Sequence, residues 1–174
     1  MGQDKVASAQ VALHAINPGI RIDIHAQRAD ADLLDRLVPQ ANVVLDCTDN
    51  FDIRQLINAR CVRHQTPLVE GSAIRFAGQV AVFDMAQADS ACYACLFPPE
   101  QEVAPLVCAT MGVFAPLVGL IGTVQAAEAL KLLCGIGKPL VGRLLMLDSR
   151  RMEWTEVRVQ RQPDCQVCST RPKV

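Results

Sequence analysis

The chain has 174 residues, 51% of them apolar, and 17 basic against 18 acidic side chains for a formal net charge of −1. That length suits one domain with a sizeable core, and balanced, interspersed charge with only 4% aromatics excludes a nucleic-acid-binding surface. Met1-Gly2-Gln3-Asp4-Lys5 carries no secretory signal, so the eight cysteines are expected to stay reduced in a cytoplasmic setting.

Taken in order, Asp4 caps a predicted helix to about Asn17, with Val6, Ala9, Leu13 and Ile16 on one face and Asn17-Pro18-Gly19 as its stop. Lys5 falls in the first turn, the unfavourable end for a cation, as a solvated lysine or as a partner for an anion. Ile20, Ile22 and Ile24 alternate as a strand, and a short helix spans about Asp30 to Val38. Val43-Val44-Leu45 reads as a strand buried on both faces, as in parallel sheets. Asp46-Cys47-Thr48-Asp49-Asn50 follows at its carboxyl end, where open α/β sheets bind ligands. Equally, Asp49 or Asn50 simply caps the next helix.

That helix covers 50–64, with Ile53, Leu56, Ile57 and Cys61 inward and Asn50 and Arg54 facing the strand end. Extended segments at Pro67-Leu68-Val69 and 79–83 continue an order of helix and strand that predicts a mainly parallel sheet. Residues 98–107 hold three prolines without periodicity and form a loop ending on Cys108, which is a reactive thiol or a small packed residue. Residues 113–134 are nearly all apolar. A polar stripe at Gln125, Glu128 and Lys131 makes them a core helix emerging at its end, not a membrane span, with Pro116, Gly119 and Gly122 closely packed and Gly135 as C-cap. Arg143–Asp148 and Glu153–Val159 make two strands turning at Ser149-Arg150.

Cys92-Tyr93-Ala94-Cys95 and Cys165-Gln166-Val167-Cys168 are paired knuckles that complete a tetrahedral shell of four thiolates, favouring structural zinc over redox use. Cys47, Cys61 and Cys134 lie in apolar stretches and read as inert buried thiols.

Leu45-Asp46-Cys47-Thr48-Asp49-Asn50 with Arg54, Gly78-Gln79, the Cys92/Cys95 knuckle, Gly112-Val113-x-x-Pro116, Gln125-Ala126-x-Glu128-Ala129-x-Lys131 and the Cys165/Cys168 knuckle together resemble the ThiF/HesA/MoeB family. The resemblance spans essentially the whole chain and is closest to the molybdopterin-synthase adenylyltransferase branch, while Cys108 and the Pro-rich loop suit the branch that supplies sulfur for thiamine's thiazole as well. It implies an α/β, Rossmann-like single domain over 1–174, with C-terminal antiparallel strands, a crossover loop at 98–112 and a four-cysteine zinc site. It also implies Mg2+·ATP-dependent adenylation of the C-terminal Gly-Gly of a small ubiquitin-like sulfur-carrier protein, by a homodimer. In the resemblance Asp49 works with Mg2+ and the phosphates, and Lys5 contacts phosphate. Asn50 and Arg54 line the pocket, Cys92, Cys95, Cys165 and Cys168 hold zinc, and Cys108 is the crossover-loop cysteine that carries covalent sulfur in some members.

The family pattern opens with a strand, a Gly-x-Gly-Gly-x-Gly loop and a ribose-holding acid, whereas this sequence starts at the helix that follows them, an N-terminally incomplete version. Two readings stand: a shortened adenylyltransferase, or a noncatalytic zinc-stabilised module that binds or assembles the carrier or a full-length partner. A dehydrogenase-like domain is disfavoured, because Gly-x-Gly-x-x-Gly is absent.

Overall fold

The structure, a computed structural model, describes residues 2–100 and 112–171. Its frame is a five-stranded sheet in sequential order: β1 (Val44–Asp46), β2 (Leu68–Ile74), β3 (Ala77–Phe83), β4 (Arg143–Asp148) and β5 (Glu153–Arg158). Helix α1 (Lys5–Ile16) and α2 (Ala31–Leu37) precede β1. Helix α3 (Phe51–His64) connects β1 to β2, the short α4 (Tyr93–Leu96) carries the first knuckle, and α5 (Ala115–Cys134) precedes β4.

Strand alternation divides the core into two layers. Leu68, Ala81, Phe83 and Leu144 face Leu34 of α2, Val38 just after it, and Ile57 and Cys61 of α3. Val69, Val80, Val82 and Leu147 face Leu117, Ile121 and Ala129 of α5. Helix starts follow local chemistry: Asp30 Oδ1 accepts from Leu33 N at 2.8 Å, and Asn50 Oδ1 accepts from Ile53 N at 3.1 Å, each satisfying an otherwise orphaned first-turn donor. Gly135 closes α5 in the left-handed region at φ 63°, a conformation that suits glycine.

The α/β class is borne out, but the sheet is mixed. Of the five named strands, β1 and β2 pair in parallel, through the β1–α3–β2 crossover; β2–β3, β3–β4 and β4–β5 are antiparallel. The segment 72–83 is a hairpin turning at Arg75-Phe76, so two residues between strands leave no length for a crossover. Residues 20–24 do not form a strand, and Ile20 and Ile24 are exposed. No neighbouring strand takes their backbone hydrogen bonds among the described residues. Leu45 on β1 is exposed, so that strand is covered on one face and not both.

The long apolar helix is turned the opposite way from the sequence expectation. Its polar residues Gln125 and Glu128 are buried with Leu117 and Ile121, while Val118, Leu120, Leu130 and Leu133 are exposed. A Cβ on Gly119 or Gly122 would meet nothing within 4 Å among the described residues, whereas Gly71 and Gly78 on the sheet are closely packed. A Cβ on Gly71 would lie 2.2 Å from Gln125 Cδ, and one on Gly78 would lie 2.6 Å from Ile121 Cδ1. By length and composition α5 is apolar enough to cross a membrane, yet here one face is seated on β2 and β3. Cys61 is buried as expected, whereas Cys47 and Cys134 are exposed.

Candidate functional site

The carboxyl end of β1 holds a charged network sunk beneath an open loop. In the parallel register Asp46 lies beside Glu70, and both are fully buried on the α3 side of the sheet. Arg54, on the first turn and a half of α3, points back at the strand ends. Its guanidinium pairs with Glu70 and donates to the carbonyls of Thr48 and Gly71, the latter at 3.3 Å. Asp46 Oδ1 accepts from Thr48 N at 2.9 Å. On the opposite face Gln125 donates from Nε2 to the carbonyls of Asp46 at 2.9 Å and Val69 at 3.3 Å. The turn Cys47–Asn50 is thus fixed from below by α3, from the side by β2 and from behind by α5.

Burial pushes the Glu70 carboxyl up to about 7, against the opposing pull of Arg54 and with Asp46 adding to the rise. Partial desolvation, despite its exposed surface, also raises the Cys47 thiol, which donates to Gln125 Oε1 at 3.5 Å.

The two roles left open for the strand end now separate. Asn50 is the helix cap, while Asp49 is exposed and makes no hydrogen bond or ion pair among the described residues. Arg54 is a structural member of the network and is buried, with its donors turned to protein acceptors instead of an open pocket. Lys5 is exposed on α1, a helix with no buried residue, and no polar contact joins it to Asp49, Asn50 or Arg54 among the described residues. Cys108 and most of the 98–112 loop lie outside the described residues.

The knuckle cysteines do come together. Cys92, Cys95, Cys165 and Cys168 place their sulfurs within 4.8 Å of one another. Separations are 3.9 Å for Cys92–Cys95, 3.7 Å for Cys92–Cys165 and 3.5 Å for Cys95–Cys168. A zinc–sulfur bond of ~2.3 Å requires tetrahedral edges of roughly 3.8 Å, so the residues fit that ion. Backbone and amide N–H groups point at two of the sulfurs: Gln162 N to Cys95 at 3.4 Å and Asn58 Nδ2 to Cys92 at 3.7 Å. Such donors orient thiolate ligands and spread their charge. Hydrogen bonding from Cys92 pulls the Cys95 thiol down to about 4, and the same contact together with burial pushes Cys92 up.

Several residues of these sites escape a reading by motif. Glu70 interrupts a buried apolar strand, a signal that calls for a partner cation. Gln125 falls at i+4 from Ile121 and i−4 from Ala129, the spacing of the buried face. Asn58 reads as an ordinary polar helix residue, yet it is fully buried and also accepts from Tyr93 N at 2.9 Å.

Molybdopterin-synthase adenylyltransferase of Escherichia coli K12 is 45% identical over 169 residues, which cover 97% of this chain and 67% of that protein. The sulfur carrier protein ThiS adenylyltransferase of the same organism is 42% identical over 160 residues, covering 92% and 62%. The sulfur carrier protein adenylyltransferase of Thermus thermophilus is 39% identical over 176 residues, covering 99% and 65%. The chain thus spans about two thirds of the length of these relatives. Among solved structures, E. coli MccB with ATP superposes at a TM-score of 0.80 and 20% identity, covering 98% of this chain and 52% of MccB, and shares the fold. The ThiF family pattern matches residues 1–167, and with relatives at this identity across nearly every residue, the chain belongs to the ThiF family.

Proposed function

We propose that the chain is the carrier-activating part of an adenylyltransferase that joins AMP from ATP to the C-terminal Gly-Gly carboxylate of a small ubiquitin-like sulfur carrier. The observation that carries this reading is Asp49: a turn hydrogen-bonded at Thr48 presents an exposed acid, without a hydrogen-bond partner among the described residues, at a strand's carboxyl end. The names of the relatives supply the chemistry, and their adenylyltransferase activity is extended here to this chain.

In that reaction the carrier carboxylate forms a bond to the α-phosphorus, the bond to the bridging oxygen breaks, and pyrophosphate leaves. The attacking carboxylate is already ionised near neutral pH, so the site needs no general base. Bound Mg2+ supplies charge neutralisation as the pyrophosphate forms. Asp49 would hold that ion, Lys5 would meet the phosphates, and Asn50 and Arg54 would keep the Asp49 turn in place. The four knuckle cysteines would hold a structural zinc, a closed shell that leaves no ligand position for substrate. Cys108 is proposed as a carrier of covalent sulfur. The carrier is proposed to be that of molybdopterin synthesis, on the likeness of Gly71-Ser72-Ala73-Ile74-Arg75 to that branch. A cytoplasmic homodimer completes the proposal, supported by the exposed apolar side chains Val118, Leu120, Leu130 and Leu133 of α5.

Pyrophosphate exchange on the 174-residue chain, with Mg2+·ATP and a Gly-Gly carrier, tests the proposal. Exchange abolished by Asp49→Ala supports it; a folded, metal-bound chain without exchange overturns it for this chain. A second reading, a noncatalytic zinc-stabilised module for the carrier or a full-length partner, is favoured by α1, whose Lys5 stands apart from the strand-end network. Carrier binding without ATP binding would select it.

A further inference from the structure

Two arginines flank the second knuckle, and every acceptor they use among the described residues is neutral. Arg161 donates from Nη1 to Ala88 O at 2.6 Å, and from Nη2 to Cys168 O at 2.6 Å, Ser169 O at 3.4 Å and Arg171 O at 2.8 Å. Arg171, which is buried, donates from Nη2 to Gln87 O at 3.0 Å, Ala88 O at 3.2 Å and Ser90 O at 2.6 Å, and from Nη1 to Met85 Sδ at 3.0 Å.

Both guanidiniums therefore converge on the single carbonyl of Ala88, close enough to repel. Neither forms a salt bridge with any carboxylate among the described residues. The neighbouring acid Asp84 is occupied by Ala86 N and Gln87 Nε2. Sequestered cations of like sign need a compensating anion. The adjoining cysteine cluster supplies one. Four thiolates around one divalent ion carry a net charge of −2, equal and opposite to the two arginines.

We propose that Arg161 and Arg171 are the counter-charge of a tetrathiolate–zinc centre and set how tightly it holds its metal. The proposal rests on the zinc reading above and adds a role for two residues outside the ligand set. Carbonyl contacts alone would be met by any donor; the cluster's charge asks for cations. Arg161 reaches it through Cys168 O, and the next residue, Gln162, donates its backbone N–H to Cys95 Sγ.

The test uses the whole chain purified with its metal. Metal content is measured first, then the affinity for zinc by competition with a chromophoric chelator, in the parent and in Arg161→Gln, Arg171→Gln and the two lysine variants. Glutamine keeps amide donors for the carbonyls and removes the charge; lysine keeps the charge and loses the fork. The expected result is a loss of about 10–100-fold in zinc affinity for each glutamine variant, with lysine variants near the parent. Lysine variants that lose affinity as severely as that overturn the proposal, and they decide it alone if the glutamine variants do not fold. Glutamine variants that melt lower without zinc yet bind zinc as tightly as the parent would also overturn it, leaving a mechanical clamp. A folded parent chain without metal would overturn the zinc reading itself, and the charge argument with it.

Discussion

Gln125 lies directly against Gly71, so close that the missing Cβ would overlap its amide. This contact is what lets a helix side chain reach through the sheet edge to the carbonyls of Asp46 and Val69. Gly71→Ala is expected to destabilise the fold by about 1–3 kcal/mol, because the amide must move and both carbonyls lose their donor. Urea melts check this. Gly119→Ala, whose Cβ enters open space in the middle of a helix, should instead be neutral or stabilising by up to about 1 kcal/mol.

The two residues at the start of α3 should respond oppositely. Asn50→Ala removes the cap on Ile53 N and should cost about 1 kcal/mol of stability. Asp49→Ala removes an exposed side chain and should change stability by no more than about 0.5 kcal/mol, yet abolish pyrophosphate exchange. Equilibrium unfolding beside the exchange assay separates them.

The Arg54–Glu70 pair predicts a pH dependence. The Glu70 carboxyl is raised from 4.5 to about 7, so between those values the folded state holds the proton more tightly than the unfolded state. Its contribution to stability is complete below pH 4.5 and is lost as the pH rises through about 7. Glu70→Gln should flatten that decline. Arg54→Met strands the carboxylate in the core and should cost about 3–5 kcal/mol above about pH 7, less in acid. Stability measured at about pH 5 and about pH 8, on either side of that titration, tests both.

Removing metal should loosen the C-terminal tail first. Residues 159–171 reach the rest of the molecule mainly through the cysteine cluster and the two arginines. Chelation, or Cys168→Ser, is expected to expose Arg161 to Arg171 to proteolysis while leaving β1 to β4 protected, as read by limited digestion and mass spectrometry.

Much of this architecture was legible in the chain. Asp30 and Asn50 mark helix starts, Gly135 marks a stop, and the two Cys-x-x-Cys spacings predict one four-cysteine cluster; each is a rule that tertiary context left intact. Three other features depend on partners distant in sequence. The polar stripe of α5 looked solvent-facing because helical periodicity defines a face without saying which side is wet. Gln125 and Glu128 turn inward only because Asp46 O, Val69 O and Leu140 N await them. Arg54 faces the strand end as its spacing suggests, but its partner there, Glu70, lies sixteen residues later and no local rule names it. The isoleucines at 20–24 alternate well, but a strand also needs an edge to pair with.

Asn58 gives α3 a second employment. One face of that amide grips Tyr93 N and the other meets Cys92 Sγ, while eight residues earlier the same helix begins beside Asp49. At ~1.5 Å rise per residue the two points are roughly 12 Å apart on a single stiff rod. The same rod thus ties the cysteine cluster, at one end, to the turn that carries Asp49 at the other.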